Sequence, residues 1–352
     1  MKNPITRRVA LINGISGQDG GYLAKHLLQL GYKVIGLSRD LTQANFYQLK
    51  HLGIYSLIQL YSFNIYDFIV VKKIIDECKP TEIYDLAGQS SVAQSFSEPK
   101  NTYNSIVTSS EHWLKAILES GQTIRFFNTA SSDLFGNTES PANECSSLNL
   151  LSPYAEAKST SFEMVRNYRE CYGMLTCSGI LSNHESQFRP TRFVTQKIIQ
   201  AAYRIFHGSG ETLNLGNLNF SRDWGYSPEY VVAMHLIMQE NNSDDYIIST
   251  GETFHITKFL EYSFQRFNLH WQDHVALTQD LQRPSDITIN ATDPTKIALE
   301  IGWTADNNMY GVIDRMAEAL EYPKSNLFNL ALNLPVINSD FIGCQTTPNV
   351  ES

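Results

Sequence analysis

The chain has 352 residues, 42% of them hydrophobic and 18% charged, which suits one large or two modest domains with a sizeable core. Its formal charge of -9 excludes an extended nucleic-acid surface, although a few local arginines can still hold an anionic ligand. The five cysteines (Cys78, Cys145, Cys171, Cys177, Cys344) are scattered without metal spacing, which excludes a disulfide framework or a cysteine metal site and fits reduced thiols of a cytoplasmic protein.

Residues 1–8 lead directly into Val9 to Asn13, a short apolar strand-like run, so no cleavable signal peptide is expected. Gly14-Ile15-Ser16-Gly17-Gln18-Asp19-Gly20 follows. A helical pattern then puts Tyr22, Leu23, His26, Leu27 and Leu30 on one side before Gly31, and Lys33 to Leu37 reads as a second strand. Strand, glycine-rich turn, helix, strand is the opening unit of a dinucleotide-binding fold. Glycines let the backbone approach a pyrophosphate, and the helix N-terminus supplies N–H groups and positive potential. Gly14, Gly17, Gln18, Asp19 and Gly20 are the candidate cofactor contacts. At the end of the second strand, Arg39 suits a 2′-phosphate and stacking on adenine, while Asp40 brings a contrary charge one position later. NADP is favoured.

Leu57 to Tyr61 reads as a third strand, with Asn64 placed to contact adenine. Ile65 to Cys78 reads as a helix ended by Lys79-Pro80. Glu82 to Leu86 is a fourth strand, running into Ala87-Gly88-Gln89-Ser90-Ser91, small residues that let the backbone pass close to a cofactor ribose. Thr102 to Ser120 is a long helix capped near Gly121. Ile124 to Asn128 is a fifth strand, ending in Thr129-Ala130-Ser131-Ser132-Asp133. In an open α/β sheet ligands bind beyond the carboxyl ends of the strands, so Ser131 and Asp133 fall where chemistry is expected.

Ser152-Pro153-Tyr154-Ala155-Glu156-Ala157-Lys158 reads as a helix start, with Ser152 as N-cap and Pro153 at the first helical position. Tyr154 and Lys158 are then i and i+4 on one face. A phenol titrates near ~10, and a neighbouring ammonium is expected to favour the phenolate and lower that value. Such a tyrosine can take a proton from a sugar or alcohol hydroxyl while hydride leaves the same carbon. The spacing alone fits an ordinary amphipathic helix equally well; the glycine-rich N-terminus turns the reading toward chemistry.

The helix runs to about Cys171, and Thr176 to Leu181 is a sixth strand. The fold class is α/β: a Rossmann-type doubly wound parallel sheet with a smaller C-terminal substrate-binding lobe. The texture changes after about residue 183, to shorter elements rich in Asn, Arg and His. The expected division is 1–182 for the cofactor domain, 183–322 for a lobe partly interleaved with it, and 323–352 for a polar extension. No run reaches the length of a transmembrane helix, and no membrane partner is expected.

These residues resemble the extended short-chain dehydrogenase/reductases, and more closely the GDP-mannose 4,6-dehydratase family, over roughly Arg8 to Glu321. The blocks that carry the resemblance are Gly14-x-x-Gly17-Gln18-Asp19-Gly20-x-Tyr22-Leu23, Leu86-Ala87-x-Gln89-Ser90, Ser152-Pro153-Tyr154-Ala155-x-Ala157-Lys158, Asn183-His184-Glu185-Ser186, Phe193-Val194-Thr195-x-Lys197, Leu215-Gly216-Asn217, Arg222-Asp223-Trp224-Gly225 and Arg283-Pro284. The resemblance implies that Leu86, Ala87, Gln89, His184 and Arg189 join the cofactor contacts. It implies that Asn183, Lys197, Arg222 and Arg283 hold a nucleotide diphosphate, that Asp286 holds a ribose hydroxyl, and that Ser90 and Gly216 complete the substrate side. Arginine forks match phosphate geometry; a surface ion pair between Arg222 and Asp223 is the plainer alternative for that residue.

The implied activity is dehydration of GDP-mannose at C4–C6 through NADP, with no metal. Tyr154 and Lys158 serve acid–base chemistry, Ser131 bonds the sugar oxygen near C4, and Asp133 is the C5 base and C6 acid. A homodimer through two long helices, or a homotetramer, is implied. Two departures stand out. The family pattern has Thr-Ser-Glu where this chain has Ser131-Ser132-Asp133, shortening the acid by one methylene, roughly 1.3 Å. The family's Pro-Arg-Arg-Gly loop, which contacts the neighbouring subunit's cofactor, is replaced by Gln187-Phe188-Arg189-Pro190-Thr191-Arg192. A GDP-sugar reductase or epimerase that makes no use of Asp133, and a catalytically silent nucleotide-binding protein, are the other readings of these residues.

Overall fold

The computed structural model of the chain describes residues 8–278 and 286–322; Arg283 and the extension from residue 323 lie outside the described residues. Six apolar runs alternate with helices up to residue 181: β1 (Val9–Asn13), β2 (Lys33–Ser38), β3 (Gln59–Ser62), β4 (Glu82–Asp85), β5 (Arg125–Ser131) and β6 (Thr176–Leu181). The helices among them are α1 (Gln18–Gln29), α2 (Tyr47–His51), α3 (Phe68–Cys78), α4 (Val92–Ser97), α5 (Pro99–Tyr103), α6 (Ser109–Ser120) and α7 (Pro153–Tyr172). The later strands are β7 (Asn183–Glu185), β8 (Leu213–Leu215), β9 (Ser221–Tyr226), β10 (Tyr246–Ile248), β11 (Thr253–His255), β12 (Val275–Leu277) and β13 (Ile289–Asn290). The later helices are α8 (Val194–Phe206), α9 (Ser227–Ile237), α10 (Ile256–Gln265), α11 (Thr295–Ile301) and α12 (Met309–Glu321).

A seven-stranded parallel sheet runs in the order β3-β2-β1-β4-β5-β6-β10. The order reverses between β1 and β4, the switch point at which open α/β sheets bind ligands. Strands such as β6 are buried along their whole length, as helices covering both faces require. The seventh strand comes from beyond residue 183, and α9 packs with α1 in one apolar core (Tyr22, Leu23 and Leu27 with Tyr230, Val231 and Met234). A second core joins α8, α10 and α12 to β9 (Ile198, Trp224, Phe259, Val312). In the smaller sheet β9 lies between β11 and β13, and β7 also pairs with β9.

Several boundaries differ from the sequence reading: the third strand begins at Gln59 rather than Leu57, after a 3₁₀ turn at Tyr55–Leu57, and three other differences have a visible cause. The helix expected from Ile65 begins at Phe68, because Asp67 caps it by accepting from the N–H groups of Ile69 and Val70. The fifth strand continues to Ser131, because Thr129, Ala130 and Ser131 pair with Gly179, Ile180 and Leu181. The helix expected over Thr102 to Ser120 is interrupted by a π turn at Asn104–Thr108. There Ser105 Oγ donates to the Thr102 carbonyl and accepts from the Gln89 N–H. A side-chain hydroxyl that bonds the helix backbone competes with the regular ladder.

Candidate active site

The glycine-rich turn is shaped by backbone contact. Gly14 has φ +90°, and a Cβ there would meet Ala87 N at 2.8 Å; a Cβ on Gly20 would meet Gly14 O at 2.4 Å. Gly17 is the N-cap of α1 and supplies no side-chain acceptor for the first N–H groups. A Cβ on Gly17 would meet only Gly14 O within 4 Å, so the turn faces open space. Uncapped helical N–H groups beside a side-chain-free cradle fit the pyrophosphate of a dinucleotide. Arg39 is exposed at the end of β2. Asp40 turns back into its own loop, accepting from Thr42 N, Thr42 Oγ1 and Gln43 N. Asn64 is exposed and its Oδ1 accepts from Tyr66 N. Leu86 and Ala87 are half-buried opposite Gly14.

Several expected cofactor contacts spend their side chains elsewhere. Gln18 donates to the His184 carbonyl at 3.0 Å and accepts from Ser186. Asp19 accepts from Ser227 at 2.6 Å and pairs with His184 Nε2 at 3.0 Å. Burial works against that carboxylate, yet His184 and Ser227 hold it below its ordinary range. Burial likewise works against the His184 cation, but Asp19 raises its pKa above the usual value. These residues therefore bolt the first turn of α1 to β7 and α9. Gln89 ties its own loop through Ser91 and Thr102. Arg189 pairs with Glu185 at 3.2 Å and lies 3.7 Å over the Phe193 ring, so its guanidinium is committed within its own chain.

Ser131, Asp133, Tyr154 and Lys158 converge. Ser152 caps α7, its Oγ accepting from Ala155 N at 3.1 Å, and so aims Tyr154 and Lys158 along one face toward the carboxyl end of β5. Ser131 Oγ accepts from Asp133 N at 3.2 Å, at the start of a 3₁₀ turn spanning Ser132–Phe135. Ser131 also hydrogen-bonds the Tyr154 side chain. The Tyr154 pKa contradicts the expectation that Lys158 would lower it: burial, then the Asp133 charge, push the phenol well above its ordinary value. The reason is geometric. The Lys158 ammonium donates to the Thr129 carbonyl at 2.6 Å and lies 5.9 Å from the Tyr154 ring centroid. Burial brings Lys158 itself down to about 8, with Asp85 opposing.

The remaining predicted residues divide. Asp133, Ser152, Arg222 and Asp286 line one small cleft, so the acid candidate and the anion-binding candidates share one space. Arg222 faces Asp286 at 3.8 Å. The alternative pairing of Arg222 with Asp223 does not occur, because Asp223 accepts from the N–H groups of Thr250 and Gly251. Gly216 precedes Asn217, whose Nδ2 donates to Asp286 at 3.2 Å. Ser90 and Lys197 are exposed, and Asn183 is half-buried in β7. The sequence reading missed Asn217 as a site residue, although it ends the quoted Leu-Gly-Asn block. It also missed Asp85 and Thr129, which carry no motif. Among the described residues no cluster of His, Cys, Asp and Glu is placed to hold a metal ion, and no helix is long and apolar enough to cross a membrane.

The seven-stranded parallel sheet with helices on both faces is a Rossmann-type fold. Solved structures with this fold include a UDP-glucose 4-epimerase from Thermotoga maritima with UDP-glucose (TM-score 0.80, 19% identity, covering 90% of this chain and 100% of that one). A dTDP-glucose 4,6-dehydratase from Streptomyces venezuelae with NAD is similar (TM-score 0.80, 18% identity, 91% and 98%). A family model described as GDP-mannose 4,6 dehydratase matches residues 11–316. GDP-mannose 4,6 dehydratase 2 of Arabidopsis thaliana is 38% identical over 329 residues, 90% of this chain and 88% of that protein. The Sinorhizobium fredii GDP-mannose 4,6-dehydratase is 36% identical over 342 residues, 90% and 97%. The chain belongs to the GDP-mannose 4,6 dehydratase family.

Proposed function

We propose that this chain dehydrates GDP-mannose to GDP-4-keto-6-deoxymannose. The observation that carries the reading, beside family membership, is the cleft that holds Asp133 together with Arg222 and Asp286, next to Tyr154. An acid for elimination and a cation for a diphosphate then serve one bound molecule. The turn at Gly14, Gly17 and Gly20 would hold a nicotinamide dinucleotide, with Leu86 and Ala87 opposite. When bound, that dinucleotide supplies a positively charged ring that accepts a hydride from C4 and later returns it to C6.

The chain's own groups do the rest. Arg222 orients the diphosphate, and Asp286 with Asn217 presents acceptors to a ribose hydroxyl. Ser131 bonds the C4 oxygen, and Tyr154 takes its proton as C4 is oxidised. The Tyr154 phenol is unactivated in the chain by itself, so its loss of a proton depends on charge brought into the site. Once C4 is a ketone the C5 hydrogen is acidic; Asp133 removes it and delivers a proton to the departing C6 hydroxyl. Arg39 would meet a 2′-phosphate, while Asp40 spends its carboxylate on Thr42 and Gln43 of its own loop, which supports NADP over NAD. A dimer or tetramer in the cytoplasm is the assembly and location that the family resemblance suggests.

The test is incubation of the purified protein with GDP-mannose and a catalytic trace of NADP, followed by mass spectrometry. Loss of the mass of one water without net cofactor reduction is expected. An unchanged mass would overturn the reading.

A further inference from the structure

The turn that carries Asp133 is held from the nucleotide side of the cleft. Asp133 is the second residue of the 3₁₀ turn Ser132–Phe135, which gives way to Gly136 at φ +58°. Asn290, the last residue of β13 and only 2% exposed, meets both ends of that turn. Its Nδ2 donates to the Ser132 carbonyl at 2.9 Å and to the Gly136 carbonyl at 3.0 Å. An asparagine amide carries two N–H donors on one nitrogen. Both are spent here, and Asp133 lies between the two carbonyls they reach. A side chain as short as aspartate's places its carboxylate where its backbone stands, within a few rotamers. On its other side the turn buries Leu134 and Phe135, and the Leu134 carbonyl accepts from Asn149 N at 2.8 Å.

The strand that presents Asn290 is tied to the substrate side as well. In the register of β13 with β9, Asn290 lies beside Arg222 and Ile289 beside Ser221. Asp286 and Ile287, which line the cleft with Asp133 and Arg222, lie just upstream. Between them the chain is pinned to the residues that follow the turn. Asn137 Oδ1 accepts from Thr288 N at 2.7 Å and from Ile289 N at 3.2 Å, and Thr138 N donates to the Ile289 carbonyl at 3.0 Å. The segment 286–290 therefore runs from the ribose contact of the proposed function to the amide that holds the acid's turn.

We propose that Asn290 is a positioning residue for Asp133: its amide fixes the 3₁₀ turn against the strand beside Arg222, and so sets where the acid stands relative to C5 and C6 of the bound sugar. The assignment rests on the proposed function in taking Asp133 as the acid–base group of the elimination. Asn290 itself touches no reacting atom in that scheme. Its effect is confined to the steps that Asp133 performs, because Tyr154 stands on α7 and oxidation at C4 does not pass through the turn.

The experiment is Asn290→Leu, similar in size but without the donors, incubated with GDP-mannose and NADP. Water loss is followed by mass spectrometry and reduced cofactor by absorbance. A misplacement of about 1 Å can cost ~10²-fold, so water loss should slow by roughly 10–100-fold. Reduced cofactor should meanwhile accumulate on the enzyme, with kcat lowered and KM for GDP-mannose near the wild-type value. If oxidation and water loss fall together and no reduced cofactor builds up, Asn290 has only a structural role and the proposal is overturned; unchanged water loss overturns it too. Asn290→Ser keeps one donor and is the milder change should Asn290→Leu not fold. It should show the same split to a smaller extent, and a loss shared by both steps would again count against the proposal. A wild type that leaves GDP-mannose unchanged rejects the function instead. The clamp is then decided without substrate, in ¹⁵N-asparagine-labelled wild type: both Asn290 side-chain protons should resist exchange with solvent, and fast exchange of either would overturn it.

Discussion

Replacing Asp133 by asparagine keeps the size of the side chain and removes its ability to accept a proton. The residue is half-buried and lines the cleft with Arg222 and Asp286, and its charge is one of the two causes that raise the Tyr154 phenol. Two effects of opposite sign follow. A positioned general base contributes ~10²–10⁴-fold to a proton transfer, so elimination should slow by that factor, a barrier higher by about 2.7–5.4 kcal/mol. The Tyr154 phenol, relieved of the neighbouring negative charge, should move back down toward its ordinary value, so C4 oxidation should persist and reach a given rate at lower pH. With GDP-mannose and NADP in D₂O, the variant should accumulate reduced cofactor in step with enzyme concentration. It should incorporate little deuterium at C5 and lose little water. Wild type should do the reverse. Full water loss by Asp133→Asn, with deuterium at C5, would place the base elsewhere and refute the reasoning.

The Arg39→Ala variant should bind NADP roughly 10–100-fold more weakly, the loss of a charge-assisted hydrogen bond of about 1.5–3 kcal/mol, and bind NAD almost as before; calorimetric titration that finds equal weakening would reject the 2′-phosphate role. Gly20→Ala sets a Cβ 2.4 Å from Gly14 O and 2.8 Å from Ile15 Cα, both backbone atoms, so the turn must open and cofactor affinity should fall tenfold or more, about 1.4 kcal/mol; quenching of tryptophan fluorescence at an unchanged midpoint would contradict the cradle. His26 and His235 share a hydrogen bond of 3.2 Å, and burial lowers them to about 4 and about 3. Both stay neutral in the fold while an unfolded histidine charges below about 6.5. Their stabilisation is therefore complete above that pH and is lost as pH falls toward 4, with a slope of about 1.4 kcal/mol per pH unit for each. Asp85 and Asp223, raised to about 6 and about 7, titrate in the opposite sense. The informative quantity is thus the difference between wild type and His235→Gln, whose melting temperature should fall less between pH 6.5 and 5; parallel curves would refute it.

What the sequence by itself determined is what depends on near neighbours. The β1–glycine turn–α1 unit is legible because glycine positions, an apolar run and a 3.6-residue period are local properties. The Ser152 cap and the shared face of Tyr154 and Lys158 are legible for the same reason, and motif blocks along most of the chain pointed to the family. Only the tertiary structure decided the rest. That Gln18 and Asp19 reach across to His184, Ser186 and Ser227 depends on residues more than 160 positions away. The placement of β10 beside β6, and the meeting of Asn217, Arg222 and Asp286, likewise depend on chain folding back on itself. The electrostatics lay furthest from view. An i, i+4 spacing puts a lysine near a tyrosine, but a pKa is set by burial and by whichever charges and dipoles the fold delivers. Here the fold gives Lys158 to the Thr129 carbonyl with Asp85 behind it and sets Asp133 beside a buried Tyr154, so the phenol is raised where spacing alone predicts it lowered.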